Sequence, residues 1–575
     1  MHARRLASAR LLRSLLVPLV VALPPLFWVA EATRRASYET LGRDQGIFQY
    51  IAWALARGAR DYRDVRDVNG PLTHLVHRVF LALGGADEHR FRVLDLVVTG
   101  ATFFLAGACL PGLRSRRRPE LHDRVAWGLA AWVVLSGQYL LYGFWDLAQR
   151  ESFFDWFLLP AVALQLVAHA RPRNRRLLAL VGALSVIPWF GKPTYAVFTA
   201  VQLLTIAADV DVPGGRRAAF RAFALGGALG AASQLAFLFA TGDVVAYARI
   251  QLHDVPTMYR FIWPRAPGDI FSIPWDAQQA ILALCGGVVM LSLVLLREMP
   301  ARVLGVALLP VAALVSVVTQ AKGFPYHFHP VTAGVSLQWL VLAAWLTERT
   351  RVAQRRLALL RLLPVAFGAV VALHVAASME DSPHIRATWL LWGGRTAEER
   401  TTAEYFSHFP EPDFFPYELR QTADYLRAHT APDDRVQTYG MDPYVLFLAG
   451  RLSATPYIYA YDLDADAALG GWTGGRPDDA QADRIRAMRD AHEADLLARL
   501  VARPPAAFVF LDGAPLMTRS DAAEDFEEHC PSAAAWVAEH YREVARFGHN
   551  HVWFRDDRIP GSTAPPDLTA PGKEH

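Results

Sequence analysis

The sequence predicts an α-helical polytopic membrane protein with about eleven transmembrane helices and a C-terminal extracytoplasmic α/β domain. Three observations predict it. The chain has 575 residues, 53% of them hydrophobic, with positive mean hydropathy, which is too long and too apolar for one soluble domain. Apolar stretches of roughly 14–22 residues, near the ~20 a helix needs to span a bilayer, recur from Leu12 to Ser378. After Glu380 hydropathy falls, acidic residues rise, and helix-like and strand-like patterns alternate.

The eleven expected spans are Leu12–Ala32, Phe91–Leu110, Val125–Phe144, Phe153–Ala168, Leu177–Phe190, Thr194–Ala208, Ala222–Ala240, Ala280–Leu296, Val303–Thr319, Pro330–Thr347 and Leu362–Ser378. The fifth and sixth are short. Arg114–Arg118, Arg171–Arg176, Arg216–Arg217, Arg297–Arg302 and Arg349–Arg361 all fall on the side of the N-terminal Arg4, Arg5, Arg10 and Arg13. By the positive-inside rule that side is cytoplasmic. Outside are then Arg34–Arg90, Trp145–Ser152, the Lys192 and Lys322 loops, Thr241–Gln279 and everything after Glu380. Ala30-Glu31-Ala32 resembles a signal-peptidase site, but the apolar run is long for one, so an uncleaved first helix is expected. Pro71–Leu83 is apolar, yet a crossing there would put Arg114–Arg118 outside. It is expected to lie in the outer interface. The expected localisation is a bacterial inner membrane.

The chemistry concentrates in the outer loops. The 58 Lys and Arg residues include only three lysines, two of them between apolar helices. These are Lys192 in Gly191-Lys192-Pro193-Thr194-Tyr195 and Lys322 in Gln320-Ala321-Lys322-Gly323-Phe324-Pro325-Tyr326-His327. A lysine in so arginine-rich a chain fits a compact, movable charge that grips a phosphate. The alternative is two lysines anchoring helix ends at the interface.

In the first outer loop Phe48, Ile51 and Leu55 recur at helical spacing, which predicts an amphipathic helix over Gln45–Arg57 with Asp44 just before it. Asp44 is either the cap of that helix or a reactive carboxylate. Glu151 has three readings: it orients an acceptor, pairs with Arg150 or a lysine, or is solvated. Asp155 is expected to partner a neighbouring helix or loop, and Arg90, Arg92 and Asp95 to be ligands or, more often, interfacial anchors. Arg249, His253, Tyr259, Arg260 and Trp263 are candidates to line an acceptor site.

An acidic residue after the first span, an interfacial helix, and Asp67-Val68-Asn69-Gly70-Pro71-Leu72 leading to a second amphipathic piece together resemble the GT-C glycosyltransferases. The nearest group is the protein O-mannosyltransferases and lipid A aminoarabinose transferases. Gln149-Arg150-Glu151, Gly191-Lys192-Pro193 and Lys322–His327 fit outer-loop positions in such proteins. Many relatives carry Asp-Glu where this chain has Asp44-Gln45, so a second carboxylate is missing or supplied by Glu151.

The resemblance implies a polyprenyl-phosphate sugar donor and transfer on the outer face. Such a displacement needs a base for the attacking hydroxyl and cations for the departing phosphate. A proton-donating acid is unnecessary, because phosphate already leaves well. Asp44 is the candidate base and Glu151 the second catalytic candidate. Arg43, Arg150, Lys192, Lys322, Tyr326 and His327 are the candidate substrate ligands. One charge pair at ~4 Å is worth roughly 4 kcal/mol at an effective dielectric of 20, before desolvation.

The segment after Glu380 predicts helices at Tyr417–His429, Tyr444–Ala449, Ala480–Val501 and Ala533–Tyr541. Strands are predicted at Arg435–Tyr439, Ala507–Leu511 and His551–Arg555. This is an α/β layer pattern. Asp462-Leu463-Asp464-Ala465-Asp466 lacks the Gly and terminal Glu of a calcium hand and is expected to be a solvated acidic loop. The division expected is a membrane domain over 1–379 with interfacial helices in 33–90, an α/β domain over 380–558, and a disordered tail over 559–575.

A net charge of +3 gives no sign of a nucleic-acid partner. Cys109, Cys285 and Cys530 make no disulfide framework and no Cys-x-x-Cys site. No cofactor and no metal ligands are expected, with metal dependence left open. The expected partners are a polyprenyl-phosphate-linked sugar, membrane lipids and an unidentified acceptor. A lipid-anion transporter or flippase would want charges inside the bilayer and broken helices in matched halves. An envelope scaffold would leave Asp44, Lys192 and Lys322 free to change.

Overall fold

A computed structural model describes residues 23, 25–111, 121–169, 174–210, 212, 214–353 and 394–559. The chain gathers into two compact units, each discontinuous in sequence, which a division at a single residue does not express. The first runs up to Glu39 and takes in Asp87–Gln234 and Ile270–Gly394. The second takes in Thr40–Ala86, Leu235–Asp269 and the residues from Arg395 on.

Among the described residues, six helices are long and apolar enough to cross a membrane: Glu88–Ala108, Arg150–Ala168, Arg216–Thr241, Pro274–Leu295, Ala301–Gln320 and Pro325–Arg349. These make the chain a multi-pass membrane protein. Each overlaps an expected span. Leu362–Ser378 lies outside the described residues, as do Arg114–Arg118, and Leu12–Ala32 is described only in part. The expected Val125–Phe144 is helix Leu121–Leu140 followed by a short helix Gly143–Asp146. The fifth expected span is broken: helix Arg175–Val186 passes into a 3-10 turn at Ile187–Phe190, where Pro188 lacks the amide an α-helix would use. The sixth, Pro193–Ala208, is apolar but short.

Small residues and buried amides pack the first unit. A Cβ on Gly226 would lie 1.6 Å from the Ala179 carbonyl oxygen, so only glycine lets these two helices approach so closely. The buried Gln338 amide donates to the carbonyls of Ala283 (3.2 Å) and Ala307 (2.7 Å), tying three helices together.

In the second unit the strands are β1 (Arg435–Tyr439), β2 (Leu452–Ser453), β3 (Ala507–Leu511), β4 (Tyr541–Phe547) and β5 (Asn550–Arg555). They form one sheet in the order β2-β1-β3-β5-β4. β2, β1 and β3 run parallel, and β5 is antiparallel to both β3 and β4. Phe508, Phe510, Tyr439 and Phe526 fill the core beside the buried Leu496 and Leu500 of helix Asp479–Ala502. The expected β1, β3 and β5 are present, with helices Pro416–His429 and Tyr444–Ala449. Several boundaries shift by one or two residues, one of them for a visible reason. The helix expected over Ala533–Tyr541 ends at His540, because Tyr541 turns extended, pairs with Arg555, and donates its hydroxyl to the Pro505 carbonyl at 2.7 Å.

Candidate functional site

In the first unit, Arg150 and Glu151 open helix Arg150–His169. The turn that delivers them is held from beneath. The buried Arg92 guanidinium donates to the Phe144 (2.6 Å) and Leu147 (3.3 Å) carbonyls, and the Tyr139 hydroxyl accepts from the Ala148 amide while donating to Asp95. Arg92 and Asp95 are therefore interior supports, not interfacial anchors. They are 0% exposed.

Lys192 is placed by its neighbours. A Cβ on Gly191 would meet the Phe154 ring at 2.2 Å, so glycine lets the loop close onto the Glu151 helix. Pro193 holds Lys192 extended (φ −145°, ψ 120°) and starts the next 3-10 turn. Its ammonium donates to the Glu151 carboxylate and to the Gln320 side chain, and lies 3.1 Å from His327 Nε2. Glu151 is fully buried and paired with Lys192, which overturns the solvated reading.

The Lys322 loop begins where Ala321, in the left-handed region (φ 52°), ends helix Leu304–Gln320. Gly323 is also left-handed (φ 59°), and Pro325 starts the turn carrying Tyr326 and His327. Arg150 Nη2 donates to the Tyr326 hydroxyl at 2.5 Å with its Cζ 5.1 Å from the ring centroid. Tyr326 and His327 pack edge to face at 4.7 Å. Lys322 is buried, and burial, together with the charge on Lys192, lowers its pKa to about 7. The first unit thus brings together Arg150, Glu151, Lys192, Tyr326 and His327, with Lys322 close to Lys192. Asp155, in the same helix, is buried with no hydrogen-bond partner at Oδ1 among the described residues.

In the second unit, the first outer helix begins at Arg43 and not at Gln45. Gly42 is the capping residue, and its amide donates to the Gln45 side chain. Asp44 therefore sits in the first turn, where the helix dipole favours a carboxylate, and is not the cap. It is half-buried. Arg43, expected as a substrate ligand, is buried against Asp442 (2.9 Å) and Asp413 (3.2 Å).

Sequence reasoning missed a fully buried charge cluster of this unit. His74 lies with Nδ1 2.7 Å from Asp61 and Nε2 2.8 Å from Asp67, all three fully buried. Burial pulls His74 down, but the two carboxylates outweigh it and lift its pKa to about 10. Asp67 also accepts from Asn69 (2.8 Å) and Tyr459 (3.2 Å). Arg66 bridges Asp254 (2.7 Å) and Asp462 (2.8 Å). The one local signal was a histidine on the apolar face of Pro71–Gly84.

No protein-family model matches the chain, and no curated protein matches it. Among solved structures the chain is similar in fold to the following. One is ArnT from Cupriavidus metallidurans bound to undecaprenyl phosphate, at 14% identity over 97% of this chain and 100% of that one, with a TM-score of 0.49. The same protein in its apo state matches at 15% identity over 97% and 100% of the two chains, with a TM-score of 0.44. The archaeal oligosaccharyltransferase AglB from Archaeoglobus fulgidus, in complex with an inhibitory peptide and a dolichol-phosphate, matches at 11% identity over 94% and 75%, with a TM-score of 0.40.

Proposed function

We propose that the protein is an integral-membrane glycosyltransferase that moves a sugar from a polyprenyl-phosphate donor to an acceptor on the extracytoplasmic face. The observation that carries this reading is the meeting of Arg150, Lys192, Tyr326 and His327 around buried Glu151, with Lys322 within electrostatic reach of Lys192. These are donors and movable charges at the ends of membrane helices, where a lipid-borne phosphate can be reached. Buried cations repay their desolvation when an anion joins them.

In this reading the acceptor hydroxyl attacks the anomeric carbon, and the bond from that carbon to the phosphate oxygen breaks. The phosphate leaves on its lipid, held by Lys192, Lys322 and Arg150. Asp44 takes the hydroxyl proton, and a single displacement inverts the anomeric centre. Glu151 holds Lys192 in place until the phosphate arrives. The reaction is proposed to run without a cofactor, in a bacterial inner membrane with the N-terminus cytoplasmic.

The test is saturable binding of a polyprenyl phosphate to the purified wild type and to Lys192→Met and Lys322→Met, followed by a sugar-transfer assay. Weakened binding in both variants together with transfer by the wild type supports the reading. Binding without any transfer turns it towards a lipid-anion transporter, and no binding by folded wild type removes the donor.

A further inference from the structure

We propose that Asp464, Asp466, Asp525 and His529 form a divalent-cation site in the α/β layer of the second unit, separate from the charges assigned to sugar transfer.

The expected solvated loop at 462–466 is buried over Asp462–Ala465. Asp462 and Asp464 are each 1% exposed, and Asp462 is taken up by Arg66. Asp464 comes instead to His529, the last residue of helix Ala522–His529, which also carries Asp525 one turn earlier. His529 is 5% exposed. Its Nε2 is buried without a hydrogen-bond partner among the described residues and lies 3.6 Å from Asp464, 3.8 Å from Asp466 and 3.9 Å from Asp525. Those separations are too long for hydrogen bonds. They suit ligands sharing one ion: bonds of ~2.1 Å put neighbouring donor atoms ~3.3 Å apart, which a small inward movement reaches. The Asp464, Asp525 and His529 ligand atoms all lie within 4.8 Å of one another, and Asp464 Oδ2 likewise has no hydrogen-bond partner among the described residues.

The fixed surroundings favour a ligand set over a loose acidic patch. Asp525 is oriented by the Thr518 and Arg519 amides (3.1 and 3.0 Å) and the Tyr439 hydroxyl (2.7 Å). Asp466 accepts from Thr518 Oγ1, and Asp464 from the Asp466 amide, both at 2.8 Å. This is the outer support a metal site needs.

A second group, Asp512, Asp521 and His551, differs in the telling respect. Both His551 nitrogens are partnered, at 2.8 Å to Asp512 and 3.0 Å to Glu543, so that histidine is already satisfied. One imidazole with carboxylates points to a transition-metal dication of the Zn2+ type, because Ca2+ wants 6–8 oxygens. Such an ion would fasten the 462–466 segment, and with it the Arg66–Asp462 bridge, to the sheet layer.

The test is calorimetric titration of ZnCl2 into full-length protein in detergent after chelator treatment, with thermal unfolding measured in parallel. The expected result is one equivalent bound with a rise in Tm. Affinity should fall roughly 100-fold in His529→Gln and in Asp466→Asn, since even outer supports cost ~10–100-fold. Asp466 is 42% exposed in its side chain, so Asp466→Asn is expected to fold. Asp512→Asn, at the satisfied cluster, should bind like wild type. Folded wild type that takes up no stoichiometric ion overturns the proposal, as does undiminished binding in both ligand variants.

Discussion

Lys192 donates to the fully buried carboxylate of Glu151, joining the loop before the Pro193–Tyr195 turn to the first turn of helix Arg150–His169. The pair is a buried charge held by its partner, so each residue matters in a different way. Lys192→Met removes the proposed phosphate contact and is expected to weaken polyprenyl-phosphate binding roughly 10–100-fold, the worth of a charge-assisted hydrogen bond. Glu151→Gln keeps a hydrogen-bonding group beside Lys192 but frees its charge. Lipid binding should then hold or tighten while transfer falls. Isothermal titration and a radiolabelled sugar-transfer assay separate the two, and equal losses in both variants would assign Glu151 to binding.

Asp44, in the first turn of Arg43–Ala56, is expected to act on the hydroxyl proton and not on the lipid. Asp44→Asn keeps the size and a hydrogen bond but cannot take a proton. Transfer is expected to fall about 100- to 10,000-fold, the range for a lost general base. Binding of the donor lipid should stay within a few-fold of wild type. Full transfer in the variant would remove Asp44 as base.

What was legible in the sequence was local. β1 and β3 are legible because the Val, Thr and Tyr of Arg435–Tyr439 and the Phe-Val-Phe run of Ala507–Leu511, bounded by polar turns, are strand signals that need no partner. The Gly191-Lys192-Pro193 turn was legible for the same reason. β4 was not: Tyr541–Phe547 alternates too weakly to end the helix before it, and only pairing with β5 makes it a strand. The ion pairs were further from reach. Arg66 and Asp254 are 188 positions apart, and Arg43 and Asp442 are 399 apart. Nothing in either local pattern says which distant partner will neutralise a buried charge. The acidic run at 462–466 misled because alternating carboxylates read as solvent-facing until a guanidinium and a histidine arrive from elsewhere.

Lys322 gives the proposed phosphate site a pH dependence. Its pKa is lowered to about 7 by burial and by Lys192, so near and above that pH the free protein increasingly carries it neutral. An anion favours the charged form, so binding above about pH 7 must take up a proton. Affinity for a phosphodiester lipid, whose own charge does not change, is expected to fall as pH rises above about 7, by up to ~10-fold per pH unit. Lys322→Met should bind more weakly at low pH and lose that slope. A slope unchanged in the variant would place the titrating group elsewhere.

His74 offers the corresponding test of the fold. Replacing it by leucine leaves Asp61 and Asp67 as buried carboxylates without their shared cation, a change expected to cost about 3–5 kcal/mol. Its folded pKa is raised from 6.5 to about 10, so its stabilising charge is fully present below about pH 6.5 and is lost as pH climbs towards 10. The Tm gap between wild type and His74→Leu, followed by thermal unfolding in detergent, should therefore be largest in mild acid and shrink steadily through alkaline pH. A gap that stays constant from about pH 6 to 10 would mean that His74 holds its two carboxylates as a neutral hydrogen-bonding group. The cost of the substitution would then be packing and lost hydrogen bonds, with no charge term, and Asn69 and Tyr459 would be the groups that keep Asp67 buried.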